Sequence, residues 1–205
     1  MVNDKILKGL YPYFRILNKI NRNLTSLMRI KSNNRQYDNQ EKFYYITSEL
    51  IRILPYKEID NKLVLDFRSG ILMLWKNNKN IENYYSLILN NEAYYETLSN
   101  ILTIRNKFIH EPHNVSCGFF QNTTSIYSIG VYYKTNLLYV STISLAPIVY
   151  YLNKIFDEIV SDLIKGNDKY RNNYYYNRLI RYNFKKWDYT IVPEYLMLDF
   201  HKIQL

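Results

Sequence analysis

The sequence predicts a mainly α-helical protein with a small antiparallel β-hairpin insertion around residues 115–143. Over the first thirty positions apolar residues recur at alternating spacings of four and three, the pattern of a helix with one narrow buried seam. Helical periodicity returns in several later stretches, set apart by polar runs and prolines. Between about Val115 and Ser144 the texture changes, and β-branched and aromatic residues cluster instead. With 205 residues, 47% of them hydrophobic, the chain can bury a substantial core rather than remain disordered.

Each element follows from local cues. The first helix is expected over Asn3–Ile30, with Ile6, Leu10, Tyr13, Leu17, Ile20, Leu24 and Leu27 on its seam. Pro12 interrupts it, so the helix either kinks there or restarts with proline in its first turn. Lys8, Arg15, Arg22 and Arg29 recur every seven residues on the other side, as either a solvated or an RNA-facing stripe. The polar run Lys31–Gln40 reads as a loop, and a second helix covers Asp38–Leu54 before Pro55. A third helix is expected over Ile59–Trp75 and a short one over Ile81–Leu89. Asn90 or Asn91 caps the next, which buries Tyr94, Tyr95, Leu98, Ile101, Leu102 and Phe108 or Ile109. Pro112 disfavours helical geometry at Glu111, so this helix should end close to His110. Ser125–Tyr133 and Leu137–Ile143 make the hairpin, with a third short strand near Cys117–Gln121. Helix returns over Ala146–Lys165, with Pro147 in its first turn and Gly166 after its end. The last forty residues suit a short helix, a strand and a tail. No internal repeat or domain break is evident. Residues 1–165 read as one helical domain, and 166–205 as a basic, aromatic extension packed on it.

Composition narrows the function. A net charge of +9 draws a protein of this size to polyanions, either nucleic acid or an anionic membrane surface. The 23 tyrosines supply rings with a polar handle, although AT-rich coding explains such a bias as readily. The single Cys117 excludes an intramolecular disulfide framework and a multi-cysteine zinc site. It has no base at a recognisable spacing and reads as a buried thiol. Lys5, Lys8 and Arg15 break any signal-peptide pattern, and no apolar run reaches the ~20 residues of a membrane helix. A soluble cytoplasmic protein with no membrane partner is expected. His110-Glu111-Pro112-His113 is not the metalloprotease pattern, since its histidines are three apart and Pro112 breaks the helix. There is no glycine-rich phosphate loop, and Glu58, Asp60, Asp66 and His201 are scattered. No metal or cofactor is expected.

The informative stretch is Arg105-Asn106-Lys107-Phe108-Ile109-His110. On a helix Asn106 and His110 share a face, while Arg105 lies about 140° around from His110. Only the long arginine side chain could reach the same site. His110 at a helix C-terminus meets partial negative charge, which favours the protonated imidazole and repels phosphate. Arg105, always charged and able to fork onto two oxygens, offsets that repulsion.

Arg105-Asn106-x-x-x-His110 resembles the motif of the HEPN superfamily: arginine, four to six residues, then histidine, with a polar residue after the arginine. The match covers six residues, and the wider helical order agrees with it. The hairpin and the basic tail are not part of the minimal bundle. The resemblance implies a compact helical bundle, commonly dimeric, and in many members metal-independent endoribonuclease activity. Such proteins serve as toxins of toxin–antitoxin pairs, in abortive infection and in CRISPR effectors, so an antitoxin or other regulatory protein is an implied partner.

In the implied reaction the ribose 2′-OH attacks the adjacent phosphorus and yields a 2′,3′-cyclic phosphate and a 5′-OH end. Arg105 is expected to stabilise the developing charge, His110 to act as base or acid, and Asn106 to orient His110 or bind phosphate or ribose. One histidine cannot easily perform both proton transfers. A twofold dimer supplies a second copy, and His113 is the other candidate for a second proton group. Lys107 and the tail cations Arg171, Arg178, Arg181, Lys185 and Lys186, interleaved with aromatics, are expected to hold RNA, or else to form an ordinary amphipathic segment. Two other readings remain open: a non-catalytic HEPN-like module that binds RNA or a nucleotide, and a regulatory protein docking an acidic protein partner.

Overall fold

The computed structural model describes residues 4–31, 35–54, 56–60, 62–65, 75, 77–119, 126–133, 136–165, 170–182 and 184. In chain order the elements are α1 Asp4–Met28, α2 Gln36–Ile53, β1 Tyr56–Ile59, β2 Lys62–Leu65, α3 Lys79–Asn90, α4 Glu92–His110, β3 Val115–Phe119, β4 Tyr127–Tyr133, β5 Asn136–Ser141, α5 Thr142–Lys165 and α6 Tyr174–Leu179. A 3-10 turn, Pro112–Asn114, joins α4 to β3. The chain is therefore mainly α with a small antiparallel sheet, as predicted. Among the described residues no helix is long and apolar enough to cross a membrane.

Helix α5 is the hub, and α1, α3, α4 and β5 pack around it. Its buried residues run round the helix from Leu145 to Asn153, where it is enclosed by others, and then keep to one face through Phe156 and Leu163. It begins at Thr142, earlier than Pro147 suggests. A capping box sets that start: Ser144 N donates to Ser141 Oγ, and Ser141 N donates to Ser144 Oγ, both at 3.0 Å.

The seam of α1 is Leu7, Leu10, Phe14, Leu17, Ile20, Asn21, Leu24 and Leu27. Leu7 and Phe14 are fully buried, and Ile6 and Tyr13, expected on the seam, flank the core half-buried. Phe14 packs edge-on against Phe156 and Phe184 at 5.0 and 5.5 Å between centroids, tying α1 to α5 and to the segment after α6. Asn21 is buried because Asn153 of α5 completes it: the two amides exchange hydrogen bonds of 2.7 and 3.0 Å. A matched polar pair in an apolar seam fixes how one helix slides against the other. Pro12 does not end the helix. It deprives the Lys8 carbonyl of its helical donor, and both residues are exposed, where water serves instead.

Residues 56–65 correct one expectation. They form a β-hairpin, with Tyr56 opposite Leu65 and Ile59 opposite Lys62, in place of the start of the helix expected over Ile59–Trp75. Asp60 adopts φ 50°, a left-handed conformation that aspartate tolerates in turns and that stops a helix. Residues 66–74 of that expected helix lie outside the described residues.

The second sheet has strand order β3-β4-β5, antiparallel, with Cys117 opposite Ile129 and Ile129 opposite Val140. The third strand expected near Cys117 is present as β3. Its outer edge is covered by α2: Gln36 and Gln40 side-chain amides donate to the carbonyls of Cys117 and Val115 at 3.3 and 3.1 Å. Cys117 is buried beneath this edge, where burial pushes its thiol up, as suits a structural cysteine rather than a nucleophile.

Candidate functional site

Helix α4 carries the motif, and both its ends are set by sequence. The Asn91 side chain caps the start by accepting from Tyr94 N at 3.2 Å. Glu111, just before Pro112, has φ −142°, so His110 is the last helical residue, as predicted. Tyr94, Leu98, Ile101 and Ile104 are buried, and Phe108 stacks on Tyr44 of α2 with centroids 4.2 Å apart. That stack fixes the rotation of the last turns.

Arg105 is half-buried, one turn before Phe108. Its Nε is shut off from solvent without a hydrogen-bond partner. Ser48 Oγ, one turn along α2 from Tyr44, is likewise buried and unpaired, so it does not accept from Arg105. A buried unpaired donor costs on the order of 1–3 kcal/mol. Such a group in a folded protein calls for an explanation, and an anion reached by the rest of the guanidinium is one.

Asn106 and His110 are exposed and lie on the solvent side of the same helix. Neither makes a side-chain hydrogen bond among the described residues. Arg105 and His110 are about 7.5 Å apart along the helix axis and about 140° around it. A single chain thus places Asn106 and His110 on one face and Arg105 on another. His113 is exposed in the 3-10 turn beyond the helix.

Lys107 is engaged. Its ammonium lies 2.6 Å from Glu111, whose other carboxylate oxygen accepts from the Asn114 amide at 2.9 Å. These hydrogen bonds, from Lys107 first and then Asn114, hold the Glu111 carboxyl below its usual range. Glu111 is the residue that sequence reading passed over. The i, i+4 spacing from Lys107 was a visible signal, masked by attention to Pro112 as a helix breaker.

The tail cations lie elsewhere. Arg171 and Arg181 are exposed at either end of α6, and Arg178 sits 5.2 Å from the Tyr174 ring. Helix α6 packs on α1, whereas the last turns of α4 pack on α2 and lead into the sheet. Lys185 and Lys186 lie outside the described residues, as does His201. Among the described residues no three His, Cys, Asp or Glu side chains gather as a metal-binding group. No family model, no curated protein and no solved structure matches this chain. The resemblance to HEPN proteins therefore rests on residues 105–110 and the helical order around them.

Proposed function

We propose that this chain is a metal-independent, HEPN-type endoribonuclease that acts as a homodimer in the cytoplasm, as a bacterial toxin or anti-phage effector held in check by an antitoxin or similar regulator. One observation carries the reading: Arg105 keeps a buried, unpartnered Nε five residues before an exposed, helix-terminal histidine. Stability alone gives no reason to retain that arginine, and a phosphate supplies one.

In the reaction, a base takes the proton of the ribose 2′-OH as its oxygen attacks phosphorus. The P–O5′ bond breaks, and an acid protonates the leaving 5′-oxygen. Arg105 stabilises the charge that builds on the phosphorane oxygens. His110 performs one proton transfer, and His110 of a second copy performs the other, with His113 as the alternative. A twofold arrangement also resolves the geometry, because Arg105 of one copy need not meet His110 of the same copy. Asn106, on the face of His110, orients the imidazole or binds ribose.

The test is cleavage of a mixed RNA pool in EDTA by the wild-type protein and by His110→Ala. The wild type should cut and leave 2′,3′-cyclic phosphate ends. The variant should lose at least 100-fold in rate with an unchanged melting curve, since His110 is exposed. Undiminished cutting by His110→Ala would end this reading. A second reading, RNA or nucleotide binding without cleavage, is favoured by the lack of any hydrogen bond orienting His110 in a single copy. It predicts salt-sensitive binding and no cut product.

A further inference from the structure

Helices α1 and α2 run antiparallel, with Lys42 Nζ donating to Ser26 Oγ near one end and Lys19 lying over Tyr45 further along. Beyond that point the helices part around a cleft of about 370 Å³, within the size range of small-ligand sites. Its walls include Tyr11, Arg15, Ile16 and Lys19 of α1 and Tyr45 and Arg52 of α2. Glu49 is the one carboxylate lining it, and both its oxygens are held by Arg52 Nη1 at 2.9 Å.

The other two cations are held differently. Lys19 Nζ sits 3.9 Å from the Tyr45 ring centroid, and the Arg15 guanidinium carbon lies 5.9 Å from that of Tyr11. Among the described residues neither has a carboxylate at ion-pair distance. A cation placed by a ring face rather than by an anion keeps its hydrogen-bond donors for a ligand. Burial, and Glu49 after it, raise the Tyr45 hydroxyl pKa against the opposing charges of Arg52 and Arg15, so Tyr45 stays a proton donor at neutral pH.

The cleft belongs to a longer basic face. Lys8, Arg15, Arg22 and Arg29 are all exposed, at steps of about 10 Å along the helix. Tyr182 brings the tail onto this face: Tyr11, Arg15, Arg22 and Arg178 all act on its hydroxyl, and its ring lies 5.6 Å from Phe14. The row is long enough for several consecutive phosphates, and the cleft interrupts it with aromatic and apolar surface.

We infer that the α1–α2 cleft binds one unit of single-stranded RNA, its phosphate on Arg15 and Lys19 and its unpaired base or ribose against Tyr11, Ile16 and Tyr45. A cleft of this volume admits a splayed nucleotide and not a base-paired helix. The shared chemistry is a nucleoside phosphate, which either an RNA chain or a free nucleotide could supply. This site uses none of Arg105, Asn106 or His110, and it holds whether or not the chain cuts RNA.

The test measures binding of a fluorescent 2′-O-methyl oligouridylate of about twelve nucleotides, which lacks the nucleophile for cleavage, so a failed ribonuclease reading leaves the result intact. Arg15→Ala/Lys19→Ala should weaken binding tenfold or more and flatten the log–log salt slope by about 1.4. Tyr45→Leu should weaken binding on the order of tenfold, while Tyr45→Phe, which keeps the ring, stays within twofold to threefold of wild type. Lys79→Ala/Lys165→Ala, an equal charge loss on exposed residues elsewhere, should change it less than twofold. Competition by uridine monophosphate tells the sources apart: oligomer affinity at least tenfold above the monomer assigns RNA, and equal affinities assign a free nucleotide. Three results would overturn the site: the double cleft variant binding within twofold of wild type, the control pair losing as much, or polyglutamate displacing the oligomer at equal charge. The last would mark the face as a dock for an acidic protein. Tyr45→Leu against Tyr45→Phe decides the matter even if the double variant fails to fold.

Discussion

The end of α4 and the α1–α2 face are both basic, yet they hold their cations in opposite ways. At the end of α4, Lys107 is bound to Glu111 at 2.6 Å, and Arg105 has its Nε buried without a hydrogen-bond partner. On α1, Lys19 and Arg15 lie over tyrosine rings, and among the described residues neither has a carboxylate at ion-pair distance. The first region also carries His110 and His113, whereas the described part of the second has no histidine. One region is thus equipped for proton transfer with little spare charge, and the other for holding a polyanion without acid–base chemistry. Affinity and chemistry should therefore be separable by mutation.

The largest effect expected is at Arg105. Arg105→Met keeps the length and packing of the stem while removing the charge and the unpartnered Nε. Cleavage should fall at least 100-fold, as it does when a charge-stabilising donor is removed from a transition state. Thermal stability should stay level or rise, by roughly 2–4 °C for each 1 kcal/mol recovered. Binding of the uncleavable oligomer should change less than twofold if the α1 face supplies most of the affinity. A variant that melts several degrees lower would show that Arg105 serves the fold, and the contrast between the regions would lose its basis.

That contrast was only partly legible in the sequence. Local signals gave α4 its bounds, because Asn91 caps one end and Pro112 bars the other, and both act within a few residues. The same holds for β4 and β5, where branched residues alternate about a short turn. Residues 59–65 were misread because Ile59 and Leu63, four apart, also suit a helical spacing, and only the left-handed Asp60 betrays the hairpin. Whether the α1 stripe faces solvent or a ligand could not be read from α1 alone. The cleft needs Tyr45, Glu49 and Arg52, which reach it only through helix packing, and α6 must fold back for Arg178 to join. Equally, the 140° between Arg105 and His110 could be counted from sequence, but not that Phe108 would stack on Tyr44 or that Arg105 Nε would be buried.

A second variant separates the two regions mechanically. Asn21→Leu removes one half of the Asn21–Asn153 pair, leaving Asn153 Oδ1 buried without its donor, while Asn153 Nδ2 keeps its 2.7 Å bond to the Val149 carbonyl. The expected loss is about 1–3 kcal/mol, read as a lower denaturation midpoint. Replacing both asparagines by leucine should recover much of it, since two apolar groups leave nothing unsatisfied. The pair ties α1 to α5 and does not touch α4, so RNA binding should weaken before the cleavage rate of bound RNA changes. Equal stability of the wild type and the single variant would show that the pair does not hold the seam.

The smallest effect tests whether the Glu111 carboxylate holds the end of α4. In the folded chain the Glu111 carboxyl lies below its ordinary value of 4.5, through hydrogen bonds from Lys107 and Asn114. A depressed carboxyl contributes stability that is fully present above the ordinary value and is lost as pH falls through the folded one. Amide exchange of residues 107–114 should therefore be pH-independent, after correction for intrinsic rates, from neutrality down to about 4.5, and should quicken below it. Glu111→Gln should abolish that step while retaining the turn set by Pro112. If the step survives in Glu111→Gln, the Glu111 carboxylate does not hold this turn.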